Sequence, residues 1–112
     1  MIDAEVKAQL ESIRDTYREE QDRIHRELQE IEVMVRQNTA DVEKLSNREL
    51  AVSNRIRDLE INLDKYSKGE IKNIFTTAQE VQMRLQMMKS QLEQLNLRQG
   101  SMRSRRDQLS EI

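Results

Sequence analysis

Apolar residues recur along this chain at alternating spacings of three and four, and this spacing restricts the fold more than any other feature. In the first half, the positions so spaced hold Leu28, Ile31, Val35, Asn38, Val42, Leu45, Glu49, Val52, Ile56, Leu59, Leu63 and Tyr66. In the second half, they hold Ile71, Ile74, Ala78, Val81, Leu85, Met88, Leu92, Leu95, Gln99, Met102, Arg106 and Leu109. Such a stripe, called the seam below, follows one side of an α-helix and needs a second helix to cover it. The sequence therefore predicts an all-α coiled coil.

Composition agrees with long helices. The 112 residues include 36 % charged and 3 % aromatic side chains, with no proline. This length has room for a single domain, residues 1–112. The net charge of −2, with both signs interspersed, does not indicate nucleic-acid binding. The longest apolar run, Val33–Val35, is far too short to span a membrane, and the absence of cysteine excludes disulfides.

The two seam series do not join, which indicates a helix boundary between them. Continuing from Tyr66 would require an apolar residue at position 70, where the sequence has Glu70. Ser67 and Glu70 have the spacing of a capping box, which would start a new helix. Alternatively, Gly69 closes the first helix in a left-handed conformation. We predict helix one over about 3–66 and helix two over about 68–112, with the boundary at Tyr66, Ser67, Gly69 and Glu70.

An antiparallel hairpin turning near residues 66–70 satisfies the seam better than one long parallel coiled-coil rod, which stays as the alternative. Folding back around the turn pairs Leu63 with Ile74, Leu59 with Ala78, Ile56 with Val81, Val52 with Leu85, Leu45 with Leu92, and Val42 with Leu95. The next layer pairs Asn38 with Gln99, a polar core layer of the kind that fixes register. In this register Glu32 lies near Arg103, and Glu27 near Arg105.

The same register leaves the N-terminal part of helix one uncovered. Residues 2–27 would need partners beyond position 112, and the second helix looks truncated. The apolar series upstream, Val6, Leu10, Ile13, Tyr17 and Ile24, reaches Leu28 out of phase, as a four-residue stutter would cause. We expect dimerisation into a four-helix coiled coil, because apolar residues outside the seam need cover: Leu50, Ile61, Met83, Met87 and Leu97.

No catalytic, cofactor-binding or metal-binding constellation is visible. His25 is the only histidine, and we interpret it as a solvated surface residue, because a catalytic dyad needs a partner and a pocket. One histidine and no cysteine do not assemble a metal site. The cluster Arg98, Arg103, Arg105 and Arg106 is interpreted as ordinary helix-surface charge, because acidic residues lie among it. We therefore expect no cofactor and no enzyme activity in this segment.

From Asn54 onward the chain resembles the N-terminal sensor domain of DegS-type cytoplasmic sensor histidine kinases. The residues that carry the resemblance are Tyr66-Ser67, Glu70-Ile71-Lys72-Asn73, Ala78, Val81-Gln82, Leu85, and the ending Arg105-Arg106-Asp107 with Leu109. The chain departs from the family pattern at Lys68-Gly69, where acidic residues are usual, and at Arg57, so a phosphoserine switch is not carried over to that position. The resemblance implies a cytoplasmic parent protein that is an ATP-dependent histidine protein kinase and acts on a response regulator of the DegU type.

Two functional hypotheses follow. In the first, the chain is a homodimeric signal-input domain that relays changes in helix packing to a kinase core outside this chain. Polar residues weaken the seam at Asn38, Glu49, Gln99 and Arg106, so two packings of similar energy are conceivable. In the second, the chain is a non-switching coiled-coil spacer or adaptor protein.

Overall fold

Two long helices make up the chain. The computed structural model describes residues 2–111, and their side chains from Asp3 onward. Helix α1 spans Ile2–Ile61, a short 3-10 turn spans Leu63–Lys65, and helix α2 spans Lys68–Ser110. No strand occurs in the described part of the chain. The prediction of an all-α fold is confirmed.

The two helices pack against each other as an antiparallel hairpin, so the hairpin prediction is confirmed and the straight rod is not formed. Their contacts divide into two compact units. Unit 1 comprises Met1–Met34 with Leu95–Ile112, and unit 2 comprises Val35–Gln94 and includes the turn. In both units a stretch of α1 faces a stretch of α2.

The seam contains nearly all of the buried residues. In unit 2 the buried residues are Leu45, Leu59, Ile74, Val81 and Leu85. In unit 1 they are Ile24, Leu28, Ile31 and Leu109. Each of these except Ile24 lies at a predicted seam position, and no polar or charged residue is buried in the described part of the chain. In each unit the core is therefore a narrow line of aliphatic side chains, and each helix leaves its other faces to solvent.

The buried line continues upstream of Leu28 in unit 1. Ile24, Leu28 and Ile31 are spaced four and three residues apart, so they share one face of α1, and all three are buried. Ile24 and Leu28 form a cluster with Leu109 of α2. Tyr17 and Met102 pack against that cluster. Ile24, which lies upstream of the predicted seam, thus reaches the same partner helix as Leu28.

This packing corrects the expected register at the N-terminal end. Residues 2–27 do not all need partners beyond position 112, because Tyr17 and Ile24 already pack with Leu109. Arg105 donates from Nε and Nη2 to Glu20 Oε1, at 3.1 Å each, and not to the predicted Glu27. Glu20 lies one heptad nearer the N-terminus than Glu27. The C-terminal part of α2 therefore lies beside residues of α1 that are nearer the N-terminus than a strict heptad ladder predicts.

The buried line makes a direct stability prediction. Ile31 is 1 % exposed and Ile13 is 52 % exposed, although both are isoleucines of the same helix. Ile31→Ala should lower the free energy of unfolding by about 2–5 kcal/mol, since it leaves a cavity in the core. Ile13→Ala is the matched control and should cost far less, because most of that side chain already contacts water. Urea unfolding followed by circular dichroism measures both values, and equal losses would contradict the assigned core.

Candidate functional site

The candidate site begins where α1 ends, five residues earlier than predicted. Asn62 leaves the helical conformation, with φ −127° and ψ 51°. Its backbone N–H still donates to Asp58 O at 2.8 Å, and its side-chain Nδ2 donates to Asp58 Oδ1 at 3.2 Å. The helix therefore ends at Ile61 and not near Tyr66.

A single 3-10 turn follows α1, and because of it Leu63 does not lie on the seam. Lys65 N–H donates to Asn62 O at 3.1 Å, and Tyr66 N–H donates to Leu63 O at 3.2 Å. Leu63, predicted to be a seam residue that pairs with Ile74, is 59 % exposed. The reason is geometric: beyond Ile61 the backbone no longer advances at the α-helical rate, so heptad spacing stops placing side chains on the seam.

Tyr66 ties the turn back to α1. Its hydroxyl donates to Asp58 Oδ2, so one carboxylate accepts from both Tyr66 and Asn62. The Tyr66 hydroxyl, followed by the Asn62 amide, holds the pKa of Asp58 below its usual value. The same bond raises the pKa of Tyr66, because it stabilises the neutral phenol. Asp58, Asn62 and Tyr66 are called the turn clasp below.

The turn clasp predicts a pH-dependent contribution to stability. Asp58 has a lowered pKa in the folded chain, so its contribution is present above the unfolded value of about 3.9 and is lost as pH falls through the folded pKa. Tyr66 has a raised pKa, so its contribution is present below about 10 and is lost as pH rises through the folded value. Tyr66→Phe should therefore destabilise the chain at neutral pH and much less in acid.

Carboxyl NMR titration and urea unfolding at several pH values test this. In Tyr66→Phe the pKa of Asp58 should move up toward its ordinary value. Tyr17→Phe removes a hydroxyl from the other tyrosine and should leave the pKa of Asp58 unchanged. A difference in stability between wild type and Tyr66→Phe that stays constant from about pH 7 to about pH 3 would contradict the clasp.

Helix α2 starts with a serine cap, as one of the two sequence interpretations predicts. Glu70 N–H donates to Ser67 Oγ at 3.2 Å, and Ile71 N–H donates to Ser67 O at 3.0 Å. Gly69 lies inside the first turn of α2, and no described glycine has a positive φ. The alternative, in which Gly69 closes helix one in a left-handed conformation, is therefore wrong. The backbone needs no left-handed residue here, because the 3-10 turn and extended Tyr66 reverse the chain.

Removing the cap should destabilise unit 2. Ser67→Ala leaves a helix-terminal N–H without its side-chain acceptor and should cost about 0.5–2 kcal/mol in the free energy of unfolding. Ser90→Ala is the matched control, since Ser90 is exposed in the interior of α2, where alanine is at least as favourable. Ser67→Asp should retain the cap. Thermal or urea unfolding measures all three, and an equal effect of the two alanine substitutions would argue against the cap.

The predicted polar core layer falls in two different units. Asn38 is half-buried in unit 2 and Gln99 is half-buried in unit 1. Their mutual pairing stays a prediction.

Within unit 2, half-buried Glu49 borders a small cavity together with Val52, Ile56, Ala78 and Val81. In unit 1, Gln99 and Arg106 border a second cavity with residues of α1. Both units thus have a local gap where a polar residue occupies a seam position.

Apolar side chains outside the seam remain exposed, as the sequence indicates. In unit 2, Met83 and Met87 of α2 are 66 % and 61 % exposed, and they lie one helical turn apart. In unit 1, Leu10 and Ile13 of α1 are more than half exposed and line a groove of about 320 Å³ with Tyr17 and Leu109. Each face is apolar surface that a further helix could cover.

Within the described residues, no group of three or more potential metal-ligating side chains occurs, and neither helix is long and apolar enough to cross a membrane. His25 is exposed on α1, with Gln29 Nε2 at 3.4 Å from its Nε2.

Comparison with known proteins assigns the family. The family model described as "Sensor protein DegS" matches residues 2–112, which is nearly the whole chain. The chain belongs to the DegS sensor protein family. No curated protein and no solved structure gives a significant match. The match includes the N-terminal half of α1, where the sequence resemblance rested on coiled-coil character alone.

Proposed function

We propose that this chain is the signal-input and dimerisation domain of a cytoplasmic two-component sensor histidine kinase. In this proposal it relays changes in helix packing to a kinase core outside the chain. The observation that carries it is the DegS family match over residues 2–112. The kinase core would be an ATP-dependent enzyme acting on a response regulator of the DegU type, and this segment would contribute packing and no catalytic group.

Exposed apolar surface supports the dimerisation part of the proposal. Met83 and Met87 form an adaptable, polarisable patch on the outer face of α2. A second copy laid against this patch would cover it and complete a four-helix arrangement. The N-terminal groove at Leu10 and Ile13 offers a separate apolar surface in unit 1.

Light scattering coupled to size-exclusion chromatography tests dimerisation. We expect a dimer at micromolar concentrations, and Met83→Glu with Met87→Glu should shift the equilibrium toward monomer by at least tenfold, since each buried methionine contributes about 1.5–3 kcal/mol. Asn47→Glu adds a charge to an exposed polar position of α1 and serves as the control. A strictly monomeric wild-type chain would refute the dimer.

The polar seam positions support the relay part. A polar residue at a seam position weakens packing there, so alternative packings lie closer in energy. Asn38 and Glu49 of unit 2 are half-buried, which leaves each in partial contact with water. Replacing them with leucine should favour the tightly packed state by about 1 kcal/mol, or about fivefold in population.

The relay is tested in the full-length kinase. Asn38→Leu and Glu49→Leu should raise the unfolding temperature and change basal autophosphorylation by about fivefold, in either direction, because the packed state is one of the two signalling states. Asn47→Leu is the exposed control and should change neither quantity comparably. Unchanged autophosphorylation, together with identical interhelical spin-label distances in both signalling states, would refute the relay.

The spacer hypothesis makes the opposite prediction for a domain exchange. Replacing residues 1–112 with an unrelated dimeric coiled coil of equal helical phase should abolish the response to stimulus if the domain relays packing changes. Full retention of the response would instead favour the non-switching spacer or adaptor.

A further inference from the structure

A polar cavity interrupts the seam in unit 1. Its volume is about 120 Å³, and Leu28 forms its apolar part. This volume corresponds to about four water molecules, at about 30 Å³ each, and is large enough for an oxyanion of five heavy atoms. The remaining lining residues are all polar or charged: His25, Gln29, Glu32, Gln99, Arg103 and Arg106.

Hydrogen-bond donors dominate this lining. Arg103 and Arg106 each present a guanidinium with five N–H donors, and Gln29 and Gln99 each carry an amide NH₂. Glu32 is the single carboxylate, so the arginines give the cavity a net positive charge. Arginine forks match the geometry of phosphate and sulfate oxygens.

Arg103 and Arg106 differ from their neighbour Arg105 in the side-chain hydrogen bonds and ion pairs that they form. Arg105 donates from both Nε and Nη2 to Glu20, an ion pair on another part of unit 1. Among the described residues, no ion pair within 4.0 Å involves Arg103. Arg106 reaches Asp107 Oδ1 only through Nε, at 3.4 Å, so its terminal nitrogens are not used in that bond.

Position on the helix explains why these groups meet. Gln99 and Arg106 occupy seam positions one heptad apart, where an aliphatic side chain would otherwise fill the interface. The opposing stretch of α1 presents His25 and Gln29, one helical turn apart. Polar residues on both helices thus border the same gap.

We propose that this cavity, called the Arg103/Arg106 cavity, binds a small tetrahedral oxyanion, either free phosphate or sulfate or the terminal group of a small phosphomonoester. Arg103 and Arg106 supply the charge, and the amides of Gln29 and Gln99 supply neutral donors. The inference concerns binding by the chain alone, and it stands apart from the proposed dimerisation and relay.

Titration of the 112-residue chain with sodium sulfate, at ionic strength held constant with chloride, tests the proposal. Side-chain NH₂ signals of Gln29 and Gln99 and the Nε–H signals of the two arginines should shift saturably in ¹⁵N NMR spectra. Arg103→Gln and Arg106→Gln should each weaken binding about twofold to fivefold, as expected for partly exposed charges. Arg98→Gln removes an exposed charge of α2 outside the cavity and should leave affinity unchanged.

Glu32→Gln provides a test in the opposite direction. It removes the only carboxylate of the lining and should tighten sulfate binding about twofold to fivefold. Circular dichroism checks that every variant keeps wild-type helicity. If Arg103→Gln or Arg106→Gln fails to fold, the corresponding substitution, Arg103→Lys or Arg106→Lys, replaces it, because lysine keeps the charge but loses the guanidinium fork. Shifts that never saturate, or an effect of Arg98→Gln equal to those of the cavity variants, would overturn the site.

Repeating the titration with inorganic phosphate and with glycerol phosphate identifies the source of the oxyanion. Tighter binding of the free ion indicates an inorganic ligand, and tighter binding of the ester indicates a small phosphorylated metabolite. Failure of all three anions to bind overturns the proposal. Because no kinase activity enters these measurements, such a failure would leave the proposed relay untouched, and a failed relay would leave anion binding untouched.

Discussion

In each unit, burial of a narrow line of aliphatic side chains between two helices is the constraint on which this structure depends. With 3 % aromatic residues and no buried polar group in the described part of the chain, the helices rely on leucine, isoleucine and valine at seam positions. One seam covers only a fraction of each helix surface. The remaining apolar residues, Met83 and Met87 among them, therefore stay exposed unless another chain covers them. The incomplete cover within one chain is the physical reason to expect partners.

Local rules predicted the start of α2 and most of the core. The cap at Ser67 depends only on a serine and the amides three and four residues after it, so the sequence contains the whole motif. Burial of Leu59, Ile74 and Val81 follows from heptad spacing. All three lie within the α-helices, where residues spaced alternately three and four apart share one face. These features need no knowledge of distant contacts.

The end of α1 and the pairing in unit 1 could not be predicted in the same way. The turn clasp joins Asp58 to Asn62 and Tyr66, a polar network that a hydrophobic pattern does not record. At the stutter, the pattern shows a change of phase near Ile24, but it does not show which phase the partner helix follows. In the structure, Ile24 and Leu28 are both buried against Leu109, and Arg105 consequently reaches Glu20 and not Glu27.

The turn also limits which rearrangements unit 2 can make. Sliding α1 along α2 by one helical turn requires an axial movement of about 5.4 Å. The clasp fixes the last turn of α1 through Asp58 and Tyr66, and the next residue, Ser67, caps the first turn of α2. With no free residue between these two attachments, sliding would break the Tyr66 bond or the cap. Rotation of each helix about its own axis changes seam packing with less displacement at the turn. A packing relay in unit 2 would therefore operate through helix rotation, with half-buried Asn38 and Glu49 moving toward or away from the seam.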